Sequence, residues 1–160
     1  METSKQYIIF GNPIPLQRPR YTPSAVWDSQ KGLKMTCSGK LEEQHGSSPL
    51  FEGPLGMQII FYMPIPHSVT HKKVTSKYNT YHFIKPDISN LIKFYEDVAT
   101  GIVYKDDSII CHTFAEKRYD DGKGPRTEMT IFKLKTTGSP VPSLKAEIQI
   151  GSVTIQLGDK

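Results

Sequence analysis

Between Lys85 and Asp107 the chain reads KPDISNLIKFYEDVATGIVYKDD, which gathers Asp87, Ser89, Asn90, Lys93, Asp97, Asp106 and Asp107 into one stretch. Carboxylates beside a lysine are the parts from which a metal-dependent phosphodiester hydrolase can be built. Mg²⁺ prefers oxygen ligands and keeps several waters, so two carboxylates and a phosphate oxygen can hold it while a bound water becomes the nucleophile. Lys93 can bind the phosphate or stabilise charge that grows in the transition state. A plainer reading covers the same residues. An aspartate at a helix start, Lys93 and Asp97 as an i, i+4 pair, and Asp106-Asp107 as a turn would all suit a solvated helix face.

Positioning such a centre needs a helix and a returning strand. From Ser89 to Ala99 the apolar residues Leu91, Ile92, Phe94, Tyr95, Val98 and Ala99 recur at helical spacing. Pro86 disfavours helix at Lys85, and Asp87 or Ser89 can serve as the N-cap. Asn90, Lys93 and Asp97 then form a stripe one turn apart, near the partial positive charge of a helix N-terminus. Gly101 offers a C-terminal stop, and Ile102 to Tyr104 reads as a short β-run leading into Asp106 and Asp107. A hairpin-like return would bring those carboxylates back to the stripe. In a regular strand only one of the pair can face it, because successive side chains alternate.

The 160 residues are 37% hydrophobic and 22% charged, which fits one globular domain with a real core, or one domain and a tail. No apolar run approaches the length of a membrane span, and Met1 to Phe10 lacks the apolar region of a signal peptide, so a cytoplasmic protein is expected. Cys37 and Cys111 stand alone, without metal-ligand or disulfide spacing, and are expected to be buried thiols. The net charge is +4 and the pI about 9.0. Its distribution is uneven: Lys5, Arg18, Arg20, Lys31, Lys34 and Lys40 outnumber Glu2 and Asp28 in the first 40 residues, whereas residues 85–107 hold five carboxylates and three lysines. An acidic site in a basic surround suits a metal ion facing a polyanion.

The remaining elements read as follows. Lys5 to Phe10 is a first strand. Pro13 to Pro23 is an extended, Pro-studded segment carrying Gln17, Arg18, Arg20 and Tyr21, either an arm with both arginines available for phosphate or an ordinary solvated loop. Asp28 to His45 is a first helix, with Asp28 as its cap and Leu33, Cys37 and Leu41 as its apolar stripe. Met57 to Met63 is a mostly buried strand. His67 to Thr80, with His71, Lys72, Lys73 and Lys77, is a basic loop able to order on nucleic acid, or a solvated connector. Ser108 to Tyr119 and Arg126 to Lys135 are two strands joined by a hairpin at Asp120 to Pro125. Beyond a Thr, Gly, Ser and Pro-rich linker, Glu147 to Ile150 and Val153 to Leu157 flank Gly151-Ser152 as a second hairpin, able to pair with the main sheet or another subunit. The expectation is an α+β domain over residues 1–137, with β-α-β-α-β-β order and a mixed sheet under its helices, and a linker and β-hairpin tail over 138–160.

The run PDISNLIK, the following Asp97 and the distal GIVYKDD resemble the signature of the RusA family of Holliday junction resolvases, Asp-x-Asp-Asn-Leu-x-Lys with a later Asp and an Asp-Asp pair. The upstream GNPIPLQRPRY, the strand ending in YMPIP and the downstream PRTEMTIF are similar to that family's layout, and together these cover most of residues 5–135. The resemblance implies a homodimeric, Mg²⁺-dependent endonuclease that cuts branched DNA symmetrically. It implies catalytic roles for Asp87, Asn90, Lys93, Asp106 and Asp107, and metal ligation by Asp87, Asp97 and Asp107, with Asp107 the expected ligand of the final pair. Arg18, Arg20, Lys72, Lys73 and Lys85 would track the DNA backbone. Ser89 departs from the pattern, standing where the family has its second aspartate. A neutral, weak ligand there leaves three readings open: a water-mediated contact, a compensating role for Asp97, or a protein that binds junctions and cuts them slowly or not at all. A metal nuclease acting on flaps, forks or duplex is a further alternative.

Overall fold

A computed structural model describes residues 3–17, 20–22, 25–66, 81–135, 148–150 and 153–155, the segments 20–22, 25–27, 148–150 and 153–155 by their backbone. Its elements are β1 (Ser4–Phe10), β2 (Arg20–Thr22), β3 (Ala25–Trp27), α1 (Lys31–His45), β4 (Leu55–Met63), α2 (Ile88–Ala99), a 3-10 turn at Asp107–Ile109, β5 (Ile110–Tyr119), β6 (Arg126–Lys133), β7 (Ile148–Ile150) and β8 (Val153–Ile155). This is the expected α+β domain with a mixed sheet. A small antiparallel pair, β2 with β3, was not foreseen in the arm.

Four strands form the sheet in the order β1-β6-β4-β5. β4 runs parallel to β5 and antiparallel to β6, and β6 is antiparallel to β1. The expected hairpin between β5 and β6 is therefore corrected: β4 lies between them. Parallel partners need a long crossover, and the segment containing α2 supplies it between β4 and β5. β4 is an almost continuous apolar run, with Leu55, Met57, Ile59, Phe61 and Met63 all buried, so it is best placed between two partners. Residues 120–125 then have to pass over its end rather than turn tightly. Asp120 N–H donates to Met63 O (2.8 Å), and Gly11 N–H donates to Pro125 O (3.0 Å), which ties this connection to the ends of β4 and β1.

The loop is closed by Arg126, which is 2% exposed. Its guanidinium holds Asp121 with two bonds (2.8 and 3.0 Å) and Glu128 through Nε (2.6 Å), and lies 3.7 Å from the centre of the Tyr62 ring.

One face of the sheet buries both helices. In register across three strands, Tyr7, Met129 and Ile59 line up and all are buried. Against them α2 presents Leu91, Phe94, Tyr95, Val98 and Ala99, the i, i+3, i+4, i+7, i+8 pattern of an amphipathic helix. α1 contributes Cys37, Leu41 and His45. Leu33, expected in that stripe, is exposed, and the helix begins at Lys31 rather than after Asp28. Asp28 instead accepts a hydrogen bond from Gln30 N–H, holding the turn before the helix.

Two further expectations change. Ile102–Tyr104 is a turn rather than a strand. Gly101 takes φ 81° just beyond the C-cap, Val103 N–H bonds back to Ala99 O, and Tyr104 O accepts from Gly101 N–H. Cys37 is buried but Cys111 is exposed. The β4–β5 register steps from Leu55↔Ile110 to Gly56↔His112, so Cys111 is the residue skipped by a bulge. The C-terminal strands pair as foreseen, Ile148 with Ile155 and Ile150 with Val153, and form a two-stranded sheet of their own.

Candidate nucleic-acid cleavage site

Asp87 occupies the N-cap position of α2, and its carboxylate makes no capping hydrogen bond. The chain reaches it along a fixed path. Tyr81 forms a β-bridge with Arg118, and His82 N–H donates to Lys117 O (3.0 Å). Lys117 Nζ then donates to Ile84 O (2.6 Å) and Pro86 O (2.5 Å), spanning the cis Lys85-Pro86 bond. One lysine on β5 thus clamps the last residues before the helix. Burial lowers the Lys117 pKa, and the negative charge of Asp87 opposes that shift, so the two groups share one electrostatic environment.

The arm approaches the same helix start from the other side. Leu16 N–H donates to Asn90 O (2.8 Å) and Ile14 N–H to the Tyr95 hydroxyl (3.4 Å). Buried Gln30 reads both sides of the arm backbone, accepting from Gln17 N–H and donating to Pro15 O. Residues 13–17 are therefore a pinned arm. Arg18, Lys72 and Lys73 lie outside the described residues, as does the side chain of Arg20, while Lys85 is exposed beside the helix start.

The distal carboxylates belong to the other half of α2. Asp106 accepts from Ser108 N–H (3.0 Å) and caps the 3-10 turn; hydrogen bonding from the Ser108 side chain, and then from its N–H, holds the Asp106 carboxyl below the usual range, while Asp107 stands exposed in the first turn. The pair is thus divided by capping, not by strand alternation. The Glu96 carboxyl is raised by burial first, then by the negative charges of Asp107 and Asp97, with Lys93 opposing. The Tyr104 hydroxyl is raised by burial and by Glu96, Asp107 and Asp97, and it donates to Glu96 O (3.2 Å). Lys93, Glu96 and Asp107 therefore form one neighbourhood of interacting charges.

Asp97 is engaged elsewhere. Lys34 of α1 bridges it at 3.0 Å and Asp28 at 3.3 Å. Asp87 and Asp97 are also roughly 15 Å apart along the helix axis at 1.5 Å per residue, so the helix does not bring them together. Among the described residues no three His, Cys, Asp or Glu side chains stand grouped to hold a metal. The donor type does fit a hard divalent cation: Asp87 and Asp107 present exposed carboxylates, and the charge around Glu96 is net negative.

Sequence reasoning missed Lys117, Gln30, Lys34 and Glu96. The first three act on partners far along the chain and carry no local pattern. Glu96 was visible only as one more carboxylate between Tyr95 and Asp97.

An α+β sheet that fixes carboxylates and a lysine around one helix, on a basic chain, is a scaffold suited to cleaving phosphodiesters. The chain belongs to the RusA family: the family model described as "Endodeoxyribonuclease RusA" matches residues 11–132. By class it is an endodeoxyribonuclease, and nucleases of this family generally depend on a divalent metal. It is also similar to the Bacillus subtilis (strain 168) protein named "Uncharacterized protein YqaN", with 25% identity over 138 residues, 79% of this chain and 94% of that protein.

Proposed function

We propose that this protein is a cytoplasmic, Mg²⁺-dependent endonuclease that resolves four-way DNA junctions as a homodimer in recombination and repair. The observation that carries the reading is the helix start of α2. Asp87 sits at its N-cap without spending its carboxylate on the helix, and Lys93 stands exposed further along the same helix. In this reading Asp87 at the helix start and Asp107 beside Glu96 would be the ligands, brought together on the junction, of an ion that would supply a water acidic enough to attack phosphorus near neutral pH. Asp106, used as a cap, orients Asp107. Lys93 binds the scissile phosphate, and Asn90 and the Lys34-bound Asp97 keep the helix in register with the arm and α1. Arg18, Arg20, Lys72, Lys73 and Lys85 hold phosphates without reading bases. Two equivalent sites suit a two-fold junction cut on two strands.

Ser89 supports a second reading, a junction-binding protein with weak or no cleavage. Ser89 is exposed in the first turn of α2, where the family pattern has an aspartate, and it brings no charge. One experiment addresses both readings. Purified protein is incubated with synthetic four-way junctions, forks, flaps and duplex, with Mg²⁺ and with a chelator. Symmetric nicking of the junction is expected, abolished by chelation and reduced at least a hundredfold in Asp87→Asn and Lys93→Ala, in line with the loss of a metal ligand or a transition-state charge partner. Salt-sensitive binding without cleavage, with cleavage appearing in Ser89→Asp, would establish the second reading. Cleavage unchanged in Asp87→Asn and Lys93→Ala would remove the assigned roles.

A further inference from the structure

We propose that Tyr81, Phe83 and Ile84 form a ledge on which nucleobases of unpaired DNA stack beside Asp87, a proposal that rests on the reading of the chain as a DNA endonuclease. These three side chains are 49%, 67% and 53% exposed and occur within four consecutive residues. The other large exposed hydrophobics among the described residues, Phe10, Leu33, Met35 and Leu50, are distributed over β1, α1 and the loop after it. Single exposed apolar side chains are ordinary, but three on one short segment mark a contact surface.

The segment is held rigidly. Tyr81 bridges Arg118, His82 N–H donates to Lys117 O, and Lys117 Nζ takes Ile84 O and Pro86 O. His82 turns inward, buried, with its ring edge-on to Tyr119 at 4.8 Å. The neighbours on either side thus stay outward without being left as a loose loop. Such preorganisation limits the ordering cost of binding.

Charge selects the occupant. Exposed Lys85 and the carbonyl-bound ammonium of Lys117 flank the ledge, and the Arg118 guanidinium, paired with Glu116, lies 5.7 Å from the centre of the Tyr81 ring. Aromatic faces interleaved with cations are how single strands are held without sequence preference, since every base offers a π-face and every nucleotide a phosphate. Ile84 is three residues from Asp87 and shares its clamp, Lys117, so a base on the ledge carries its own backbone toward the helix start. Forks and flaps carry such bases, and a four-way junction offers them when pairs at its exchange point open, whereas intact duplex keeps them stacked.

The test compares binding of two labelled short single strands of equal length and charge, one intact and one with abasic sites at its central nucleotides. Wild-type protein is expected to hold the intact strand about tenfold more tightly, the scale of losing a stacked base. Phe83→Ala combined with Ile84→Ser should bind both strands with the weaker affinity. Phe83→Trp, which keeps a stacking face, and Met35→Ala, a distant exposed residue, should retain the preference. Equal affinity of the wild type for both strands, no binding to either, or a preference kept by the double variant would overturn the proposal. The readout needs neither cleavage nor a junction. A failure of the nuclease reading appears separately, as junctions left intact by the wild type.

Discussion

Behind that ledge, the buried His82 ring favours its neutral form. Burial, and then the positive charge of Lys117, lower its pKa below 6.5. Between pH 6.5 and that lower value the unfolded chain takes up a proton that the folded chain refuses, so stability falls as the pH is lowered through this window. Denaturant midpoints for the wild type should decline from pH 7 to pH 5, and His82→Phe should flatten part of that decline; parallel profiles would refute the assignment. Arg126 contributes with the same sign in a more acidic window. Its hydrogen bonds hold the Asp121 carboxyl at about 2, so this pairing persists at any pH well above 3.8 and is lost only as the pH falls through about 2. Arg126→Ala strands Asp121 and Glu128 and opens space under Tyr62, and is expected to cost about 3 kcal/mol in chemical denaturation. Arg126→Lys should recover only part, because an ammonium cannot reproduce the two-pronged contact with Asp121. At this scale the sequence was readable where local spacing sets a residue's place, as it does for Asp87 at the N-cap and for Asn90 and Lys93 on the helix. Lys117, Lys34 and Gln30 were not, since each depends on a partner brought close only by the fold.

Among the elements, the helices and long strands were legible because burial stamps a period of 3.6 or 2 on the chain. Five residues of α2 fall on one buried face as the spacing required. Strand neighbours left no such mark: β5 and β6, consecutive and separated by turn-forming residues, read as a hairpin although β4 separates them. Gly56 illustrates an interaction between elements that one strand alone cannot announce. It pairs with Phe132 of β6, whose ring lies across it, so that an added Cβ would fall 2.2 Å from Phe132 Cζ. Gly56→Ala should therefore destabilise by about 1–3 kcal/mol, the range of overpacked sites. Combining it with Phe132→Leu should be less harmful than the sum of the two changes, as a double-mutant cycle of unfolding free energies would show. An additive pair would mean that the ring gives way without cost.

For the whole molecule, a four-stranded sheet leaves two edges, and the fold treats each differently. At β1 the Gln44 amide accepts from Ile8 N–H (2.8 Å) and donates to Ile8 O (2.9 Å), occupying both backbone groups as a neighbouring strand would, and Lys40 Nζ takes Phe10 O. That edge is capped at Ile8 and Phe10, which interrupts a run of groups open to further pairing. At β5 the edge is met by residues 81 and 82, which carry the ledge and lead to Asp87. One border of the sheet is thus given to protection and the other to presenting the candidate site.

The position of β6 has a consequence for how the protein comes into being. Among the described strands it is the last of the main sheet to be synthesised, yet it sits between β1 and β4 and is the strand by which β1 joins the sheet. A nascent chain that has emerged only as far as Tyr119 already contains Asp87, Lys93 and Asp107, and α1 can meet α2 through Lys34 and Asp97, but β1 still lacks the strand that pairs it into the sheet. Long-range pairing of this kind is late and cooperative. A sheet built this way is completed only once β6 has emerged, and a fragment that stops before Arg126 lacks the strand that joins β1 to β4.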